Sequence, residues 1–119
     1  MRRFLKSVIY ALEGIASTVK SEINFRIHLL VAALVIIAGF YLNISLFEWV
    51  IVLLLIGGML AFELANTAIE RIADFVSKDY HPLVKAAKDA GAGAVLVYAF
   101  VSVIIGIIIF VPKIVQLLQ

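Results

Sequence analysis

The fold is decided by the stretch Glu63–Asp74, with the sequence ELANTAIERIAD. It follows directly on Trp49–Phe62, a run that contains no charged residue. In a helix, positions i, i+3, i+7 and i+11 fall close to one face. Four polar residues have this spacing and form one polar stripe: Glu63, Asn66, Glu70 and Asp74. Because an ionisable group at membrane depth costs roughly 2.5–3.5 kcal/mol on insertion scales, this acidic stripe indicates a functional site.

The composition is typical of an integral membrane protein. Of the 119 residues, 65% are hydrophobic and only 15% are charged, and the mean hydropathy is +1.16. These values lie far from those of soluble domains. The absence of cysteine excludes a disulfide framework and a thiolate metal site. The length predicts a single domain over residues 1–119. We expect no cleavable signal peptide, because the N-terminus lacks an apolar run followed by a small-residue cleavage site. The net charge of +2 is small, and we expect no nucleic-acid partner.

Hydrophobic periodicity predicts an N-terminal surface helix and three transmembrane helices. Residues 2–21 alternate apolar and charged positions at helical spacing and are too polar to span, so this amphipathic helix should lie in the membrane interface. The spans are predicted at about residues 27–46, 47–75 and 90–112. His81-Pro82 should open the last helix, and Pro112 should mark the end of its span. Gly57-Gly58 should allow close helix approach.

The positions of the cations predict the orientation. Five cations flank the start of the first span: Arg2, Arg3, Lys6, Lys20 and Arg26. Four more lie between the second and third spans: Arg71, Lys78, Lys85 and Lys88. The loop between the first two spans has none. By the positive-inside rule, the N-terminus and the second loop are cytoplasmic, so the polar stripe lies at the inner end of the second span.

The polar stripe has the chemistry of a metal site near the cytosol. Hard cations such as Mg²⁺ prefer oxygen ligands, and one or two carboxylates with phosphates and water suffice. Glu70 is the better placed ligand, and Glu22 is at about the same depth. Glu63 lies two turns deeper, where it could accept a proton from a lipid hydroxyl. Lys88 would suit a phosphate. No Walker loop or protein-kinase signature is present, so spacing alone does not predict ATP.

The motif Glu63-x-x-Asn66-Thr67-Ala68-Ile69-Glu70-x-x-x-Asp74, followed by Lys88-Asp89, resembles the prokaryotic diacylglycerol kinase family. The resemblance covers essentially the whole chain, including Glu22-x-x-Phe25-Arg26. It implies an all-α integral membrane protein of a bacterial cell membrane, with a surface helix and three transmembrane helices. It also implies a homotrimer with active sites shared between neighbouring subunits. The implied reaction is Mg²⁺-dependent transfer of the γ-phosphoryl group of ATP to the hydroxyl of a membrane lipid.

The resemblance assigns roles to individual residues. Glu63 matches the general base, and Asn66 matches the polar residue between the base and the metal ligands. Glu22 and Glu70 match the acids that hold Mg²⁺ on the ATP phosphates. The other nucleotide contacts carried over from the family are Arg3, Tyr10, Asp79, Tyr80, His81, Lys88 and Asp89.

Some polar residues receive no role from the motif. Asp74 could support the site or could be a boundary charge that balances Arg71 or Lys78. His28 is expected to pack or to lie at an interface rather than to ligate a metal. Glu48 and Lys113 are interpreted as ordinary interfacial charges.

Two lipid substrates remain open at this point. Within the family, His81-Pro82-Leu83 and the segment Lys85–Asp89 favour the undecaprenol branch over the diacylglycerol branch, as does the single tryptophan, Trp49. Two other classes also remain open. A small oligomeric transport or ion-conducting protein would use the stripe as a path, and a structural assembly subunit would tolerate Glu63→Gln.

Overall fold

The computed structural model describes residues 1–119 and contains four α-helices. In chain order they are α1 Arg2–Ser21, α2 Ile23–Tyr41, α3 Leu46–Val76 and α4 Pro82–Leu118. The last three are long and apolar enough to cross a membrane. The prediction of an all-α protein with three apolar helices after an N-terminal helix is confirmed. Helices α3 and α4 form the most extensive contact, α2 packs on α3, and α1 touches both α2 and α3.

The corner between α1 and α2 is made at Glu22. Its backbone is extended, with φ −114° and ψ 111°, so the chain leaves one helix and enters the next. Arg26 closes the corner, because its Nη1 donates to the carbonyl oxygens of Val19 at 2.7 Å and Lys20 at 3.0 Å. These carbonyls belong to the last turn of α1, where they lack helical partners and carry partial negative charge. Phe25 is buried beside them, which ties the corner to the protein interior.

A tight turn separates α2 from α3. Asn43 adopts φ 52°, a left-handed conformation that asparagine tolerates better than most residues. Ser45 and Glu48 then form a capping box, since Ser45 Oγ accepts from the Glu48 N–H at 3.2 Å and Glu48 Oε1 accepts from the Ser45 N–H at 2.8 Å. Helix α2 ends at Tyr41, so the last residues of the span predicted at about 27–46 form the turn and the start of α3. Lys113 Nζ lies 3.1 Å from Glu48 Oε1, so the two predicted interfacial charges form a pair.

A small hydrophobic cluster lies at this same end of the molecule. Ile44, Val52 and Ile109 are its buried members. The ring of Trp49 packs against Phe40, with ring centroids 4.8 Å apart. It also lies against Gly39, where an added Cβ would come within 2.7 Å of the indole. The cluster joins α2, α3 and α4 at the end opposite the polar stripe.

Helix α4 is longer than its predicted span. It begins at Pro82, and His81 caps it by accepting the Leu83 N–H on Nδ1 at 3.2 Å. The prediction that His81-Pro82 opens this helix is confirmed. The helix continues through Pro112 to Leu118, so the short tail after the predicted end of the span is helical too. A proline removes only one N–H from the ladder, and helices in apolar surroundings tolerate it when the neighbouring bonds remain.

Helices α3 and α4 approach each other closely at Gly58. The ring of Tyr98 lies over this glycine, and its hydroxyl donates to the Leu54 carbonyl at 2.9 Å. The ring also contacts Phe62, with centroids 5.2 Å apart. A Cβ on Gly58 would overlap the Tyr98 hydroxyl, whereas a Cβ on Gly57 would meet nothing within 4 Å. Close helix approach, predicted for the glycine pair, therefore depends on Gly58.

Very little of the chain is enclosed within a single copy. Only 11 of 119 residues are buried, and large apolar side chains are exposed along all four helices. Such a surface is compatible with lipid chains or with further protein, but not with water.

The contact at Gly58 predicts different stabilities for two neighbouring alanine variants. Gly58→Ala should lower the free energy of unfolding by about 1–3 kcal/mol, because the Tyr98 ring must move and its hydrogen bond is lost. Gly57→Ala, the matched control, should be neutral or slightly stabilising, because alanine favours the helix. Thermal unfolding of both variants in detergent micelles measures the difference. Equal stability of the two variants would contradict the packing of α3 on α4 described above.

Candidate active site

The polar stripe runs from a buried end to an exposed end along α3. Glu63 is only 6% exposed, Asn66 and Glu70 are half-buried, and Asp74 is exposed. Glu63 and Glu70 are seven residues apart, which corresponds to about 10 Å along a helix axis. The four predicted residues thus share one face but differ in surroundings, so different chemistry is available at each end.

Glu63 at the buried end has a partner on another helix. Nε2 of His28, on α2, lies 3.0 Å from Glu63 Oε1, and the two side chains are 26% and 8% exposed. The prediction for His28 named only packing or an interface and missed this contact. A signal was present, because His28 is an ionisable side chain in an otherwise apolar run, and such residues mark functional sites by default.

Asn66 in the middle of the stripe connects to Glu70 and to α4. Its Nδ2 donates to Glu70 Oε1 at 3.4 Å. Its Oδ1 is buried and has no hydrogen-bond partner in the chain. This oxygen faces Gly91 of α4, where an added Cβ would lie 2.5 Å away. A buried carbonyl oxygen without a donor is costly, so the site has an acceptor position that a ligand or cation can satisfy.

Asp74 at the exposed end pairs with Lys88 of α4. Lys88 Nζ donates to Asp74 Oδ1 at 2.8 Å. This hydrogen bond, together with the charge of Asp74, raises the pKa of the Lys88 ammonium above its usual range, so Lys88 is positively charged at neutral pH. The predicted partners of Asp74 were Arg71 and Lys78, and both are wrong. Arg71 instead donates from Nη2 to Ser21 Oγ at 3.0 Å, next to the α1–α2 corner.

A polar cavity of about 350 Å³ opens between the end of α3, the following loop and the start of α4. Five predicted nucleotide contacts line it: Asp79, Tyr80, His81, Lys88 and Asp89. Asp74 lines it as well. Asp89 is held by Lys85 one turn earlier, with 2.6 Å between Nζ and Oδ2, and Ser77 Oγ donates to the Asp79 carbonyl at 2.8 Å. These five residues therefore share one polar cavity.

Four other residues predicted to bind the nucleotide or its metal do not line this cavity: Arg3, Tyr10, Glu22 and Glu70. Arg3 and Tyr10 are exposed on α1, and Glu22 is half-buried at the corner, where Ser21 Oγ approaches its Oε1 at 3.5 Å. No group of three or more Asp, Glu, His or Cys side chains converges within the chain. The arrangement still suits Mg²⁺, because that ion is commonly held by one or two carboxylates with the remaining positions filled by phosphate and water. Oxygen atoms of Glu70 and Asn66 provide the required type of donor.

Comparison with known proteins identifies the family to which this chain belongs. Residues 9–110 match the family model for prokaryotic diacylglycerol kinase. The chain is 51% identical over 113 residues to the undecaprenol kinase of Bacillus subtilis (strain 168), which covers 95% of this chain and 92% of that protein. It is 36% identical over 115 residues to a diacylglycerol kinase of Synechocystis, covering 96% of this chain and 66% of that protein. It is 28% identical over 102 residues to the diacylglycerol kinase of Escherichia coli (strain K12), covering 86% and 84%. The chain, with its polar stripe and three apolar helices, belongs to the prokaryotic diacylglycerol kinase family.

Proposed function

We propose that this protein is a membrane-embedded lipid kinase that transfers the γ-phosphoryl group of ATP to undecaprenol, giving undecaprenyl phosphate. The observation that carries this proposal is the 51% identity, over almost the full length of both chains, to an undecaprenol kinase. The polar stripe supplies the chemistry that such a transfer needs at the membrane boundary. Residues 1–119 form a single kinase domain in a bacterial cell membrane.

The active site faces the cytoplasm in this proposal. Cations cluster on α1 and at the start of α2, and again from the last turns of α3 to the first turns of α4, and none lies in the turn between α2 and α3. The positive-inside rule then places the N-terminus and the polar cavity on the cytoplasmic side. Helix α1 lies in the membrane interface, where its cations meet anionic headgroups. The corner at Glu22 sets the angle at which it leaves the bundle.

ATP binds at the polar cavity with its phosphates toward Lys88. The lysine is positively charged, and only one of its three donor positions is taken by Asp74. Glu22 and Glu70 would hold Mg²⁺ on the phosphates, and Asn66 supports this because its amide bonds Glu70 and its Oδ1 is a buried oxygen without a partner. When bound, Mg²⁺ supplies neutralisation of the phosphate charge. Arg3, Tyr10, Asp79, Tyr80, His81 and Asp89 complete the nucleotide contacts.

Glu63 acts as the general base at the lipid end of the stripe. Its carboxylate takes the proton of the lipid hydroxyl as that oxygen forms a bond to the γ-phosphorus. The bond between the γ-phosphorus and the oxygen bridging to the β-phosphate breaks at the same time, and ADP leaves with that oxygen. Asn66 lies between Glu63 and Glu70 on the same face. Its hydrogen bond to Glu70 fixes the position of that carboxylate relative to the base. Positioning and electrostatics account for most of the rate in phosphoryl transfer.

The protein works as a homotrimer with active sites shared between neighbouring subunits. Support comes from the separation of the predicted site within one chain. Arg3, Tyr10 and Glu22 are outside the polar cavity that is lined by Asp79, Tyr80, His81, Lys88 and Asp89. The large exposed apolar surface is compatible with close neighbours. A neighbouring copy can place its α1 over the cavity without any change in the fold of the single chain.

Diacylglycerol is the second candidate substrate, because several relatives in the family carry the name diacylglycerol kinase. Transfer to it would give phosphatidic acid by the same chemistry. A transport or ion-conducting function has less support. No charged residue lies on α3 between Glu48 and Glu63, so the polar stripe does not cross the membrane.

The kinase proposal predicts lipid phosphorylation by the purified wild-type protein. In mixed micelles with Mg·ATP, undecaprenol should be phosphorylated faster than diacylglycerol. Glu63→Gln should lower kcat by about 10²–10⁴-fold, because it removes a general base while keeping the shape of the side chain. Glu48→Gln, an acid on the same helix at the far end, is the matched control and should keep kcat. Absence of phosphorylation of both lipids would overturn the proposal, and preference for diacylglycerol would overturn only the choice of substrate.

The contact between Asn66 and Gly91 predicts a loss of activity in Gly91→Ala. The new Cβ would push the Asn66 amide, and with it Glu70, away from their positions. We expect kcat/KM for ATP to fall by about 10–100-fold, since small displacements of catalytic groups have effects of this size. Gly93→Ala is the matched control on α4, because a Cβ there meets nothing within 4 Å. Equal activity of both variants would show that α4 does not position Asn66.

Sharing of sites predicts that two inactive variants complement each other. Glu22→Gln and Glu63→Gln are each expected to be inactive as pure assemblies. When the two are mixed in denaturant and refolded together, about a quarter of the sites in a cyclic trimer would combine intact Glu22 from one copy with intact Glu63 from the next. Recovered activity near this fraction supports shared sites. Activity no greater than the sum of the pure variants would assign Glu22 and Glu63 to the same chain within each site.

A further inference from the structure

His28 is the most unusual polar side chain of the apolar part of the protein. After Arg26, helix α2 contains no Asp, Glu, Lys or Arg up to its end at Tyr41. His28 lies one turn into this helix and is directed at α3, where its Nε2 is 3.0 Å from Glu63 Oε1. The contact connects two helices at the most buried acid of the chain.

Glu63 has no other polar partner. Asn66 and Glu70 hydrogen bond to each other, and Asp74 bonds to Lys88, but no other side chain approaches the carboxylate of Glu63. Its orientation therefore depends on His28. A carboxylate has two oxygens, and the imidazole takes one of them. The other oxygen is left for a ligand.

The imidazole also borders an apolar groove between α2, α3 and α4, with a volume of about 390 Å³. Val31, Met59 and Ser102 are among the residues that line it. His28 is thus the place where this apolar surface meets the buried carboxylate. A hydroxyl that arrives from the membrane side would pass beside the imidazole to reach Glu63.

We propose that His28 is a positioning residue for the kinase reaction: its Nε2–H holds Glu63 Oε1 so that Oε2 faces the lipid hydroxyl. The inference rests on the proposed kinase function and on Glu63 as the base. The proton of the hydroxyl goes to Oε2, and His28 neither touches the phosphate nor gains or loses a proton in the step. The effect of His28 should therefore appear in kcat and not in the binding of ATP, whose predicted contacts line the polar cavity farther along α3.

The position of the donor nitrogen gives a sharp test. The amide nitrogen of glutamine can reach the place of Nε2, whereas that of asparagine is one methylene shorter and corresponds to Nδ1. His28→Gln should keep kcat within about threefold of wild type, while His28→Asn and His28→Leu should each lose about 10–100-fold, since misplacing a catalytic group by about 1 Å has this effect. KM for ATP should change by less than about twofold in all three variants, which is the pattern of an interaction made in the reacting complex.

Lys113→Gln provides the matched control, because it breaks the other pairing between an acid of α3 and a neighbouring helix, at the far end of the molecule. It should keep both kcat and KM. Thermal unfolding of each variant separates a loss of fold from a loss of rate. If His28→Leu does not fold, the comparison of glutamine with asparagine decides the question.

Equal kcat for the glutamine and asparagine variants, or near wild-type kcat for the leucine variant, would overturn the positioning role. An increase in KM for ATP in parallel with the loss of kcat would also overturn it, since that pattern indicates general damage to the site. Failure of the wild-type protein to phosphorylate any lipid is a different outcome, because it removes the kinase proposal before any variant is compared.

Discussion

A charge without a partner in apolar surroundings is the constraint on which the polar half of this structure depends. Leaving a buried carboxylate unpaired costs several kcal/mol, a large share of the free energy by which a protein is stable. Glu63 therefore requires a partner from outside α3, and α2 supplies it through His28. At the exposed end, where water can solvate Asp74, the partner comes from α4 and is Lys88. The polar stripe thus determines which helices lie beside α3 and where they touch it.

The change in exposure along the stripe separates two kinds of chemistry that the same helix carries. At the buried end, the carboxylate of Glu63 contacts His28, which lines an apolar groove, and this suits proton removal from a lipid alcohol. At the exposed end, a charged lysine and a polar cavity suit phosphate, which must remain in contact with water and cations. Asn66 lies between, close against Gly91. A phosphoryl transfer from ATP to a lipid at a membrane boundary needs both surroundings in one site, and the two ends of the polar stripe provide them about three turns of helix apart.

Features that repeat along the chain could be predicted from the sequence, and contacts between helices could not. The bounds of α1, the start of α4 at Pro82 and the shared face of the stripe follow from periodicity and from the backbone limits of proline. The pairing of Asp74 with Lys88, the contact of His28 with Glu63 and the approach of Gly91 to Asn66 join residues on different helices. Spacing within a helix says which face a residue occupies but not which neighbour covers that face. The structure of the tail after Pro112 could not be predicted for a related reason, since a proline weakens a helix without deciding whether the neighbouring hydrogen bonds hold it together.

The arrangement of polar groups says more about assembly than the exposed apolar surface does. In lipid, an exposed leucine or valine gains little by contacting another helix, because acyl chains are equally apolar. A polar site is different when some of its predicted residues lie outside it. Those residues must then reach the site from their own chain or from a neighbouring one. Arg3, Tyr10 and Glu22 belong to α1 and its corner, which Arg26 and Phe25 hold firmly against α2. That rigidity makes it costly for α1 to swing onto its own chain's cavity. Supply of these residues by a second copy requires no such distortion, which is the physical reason to expect the active site between subunits.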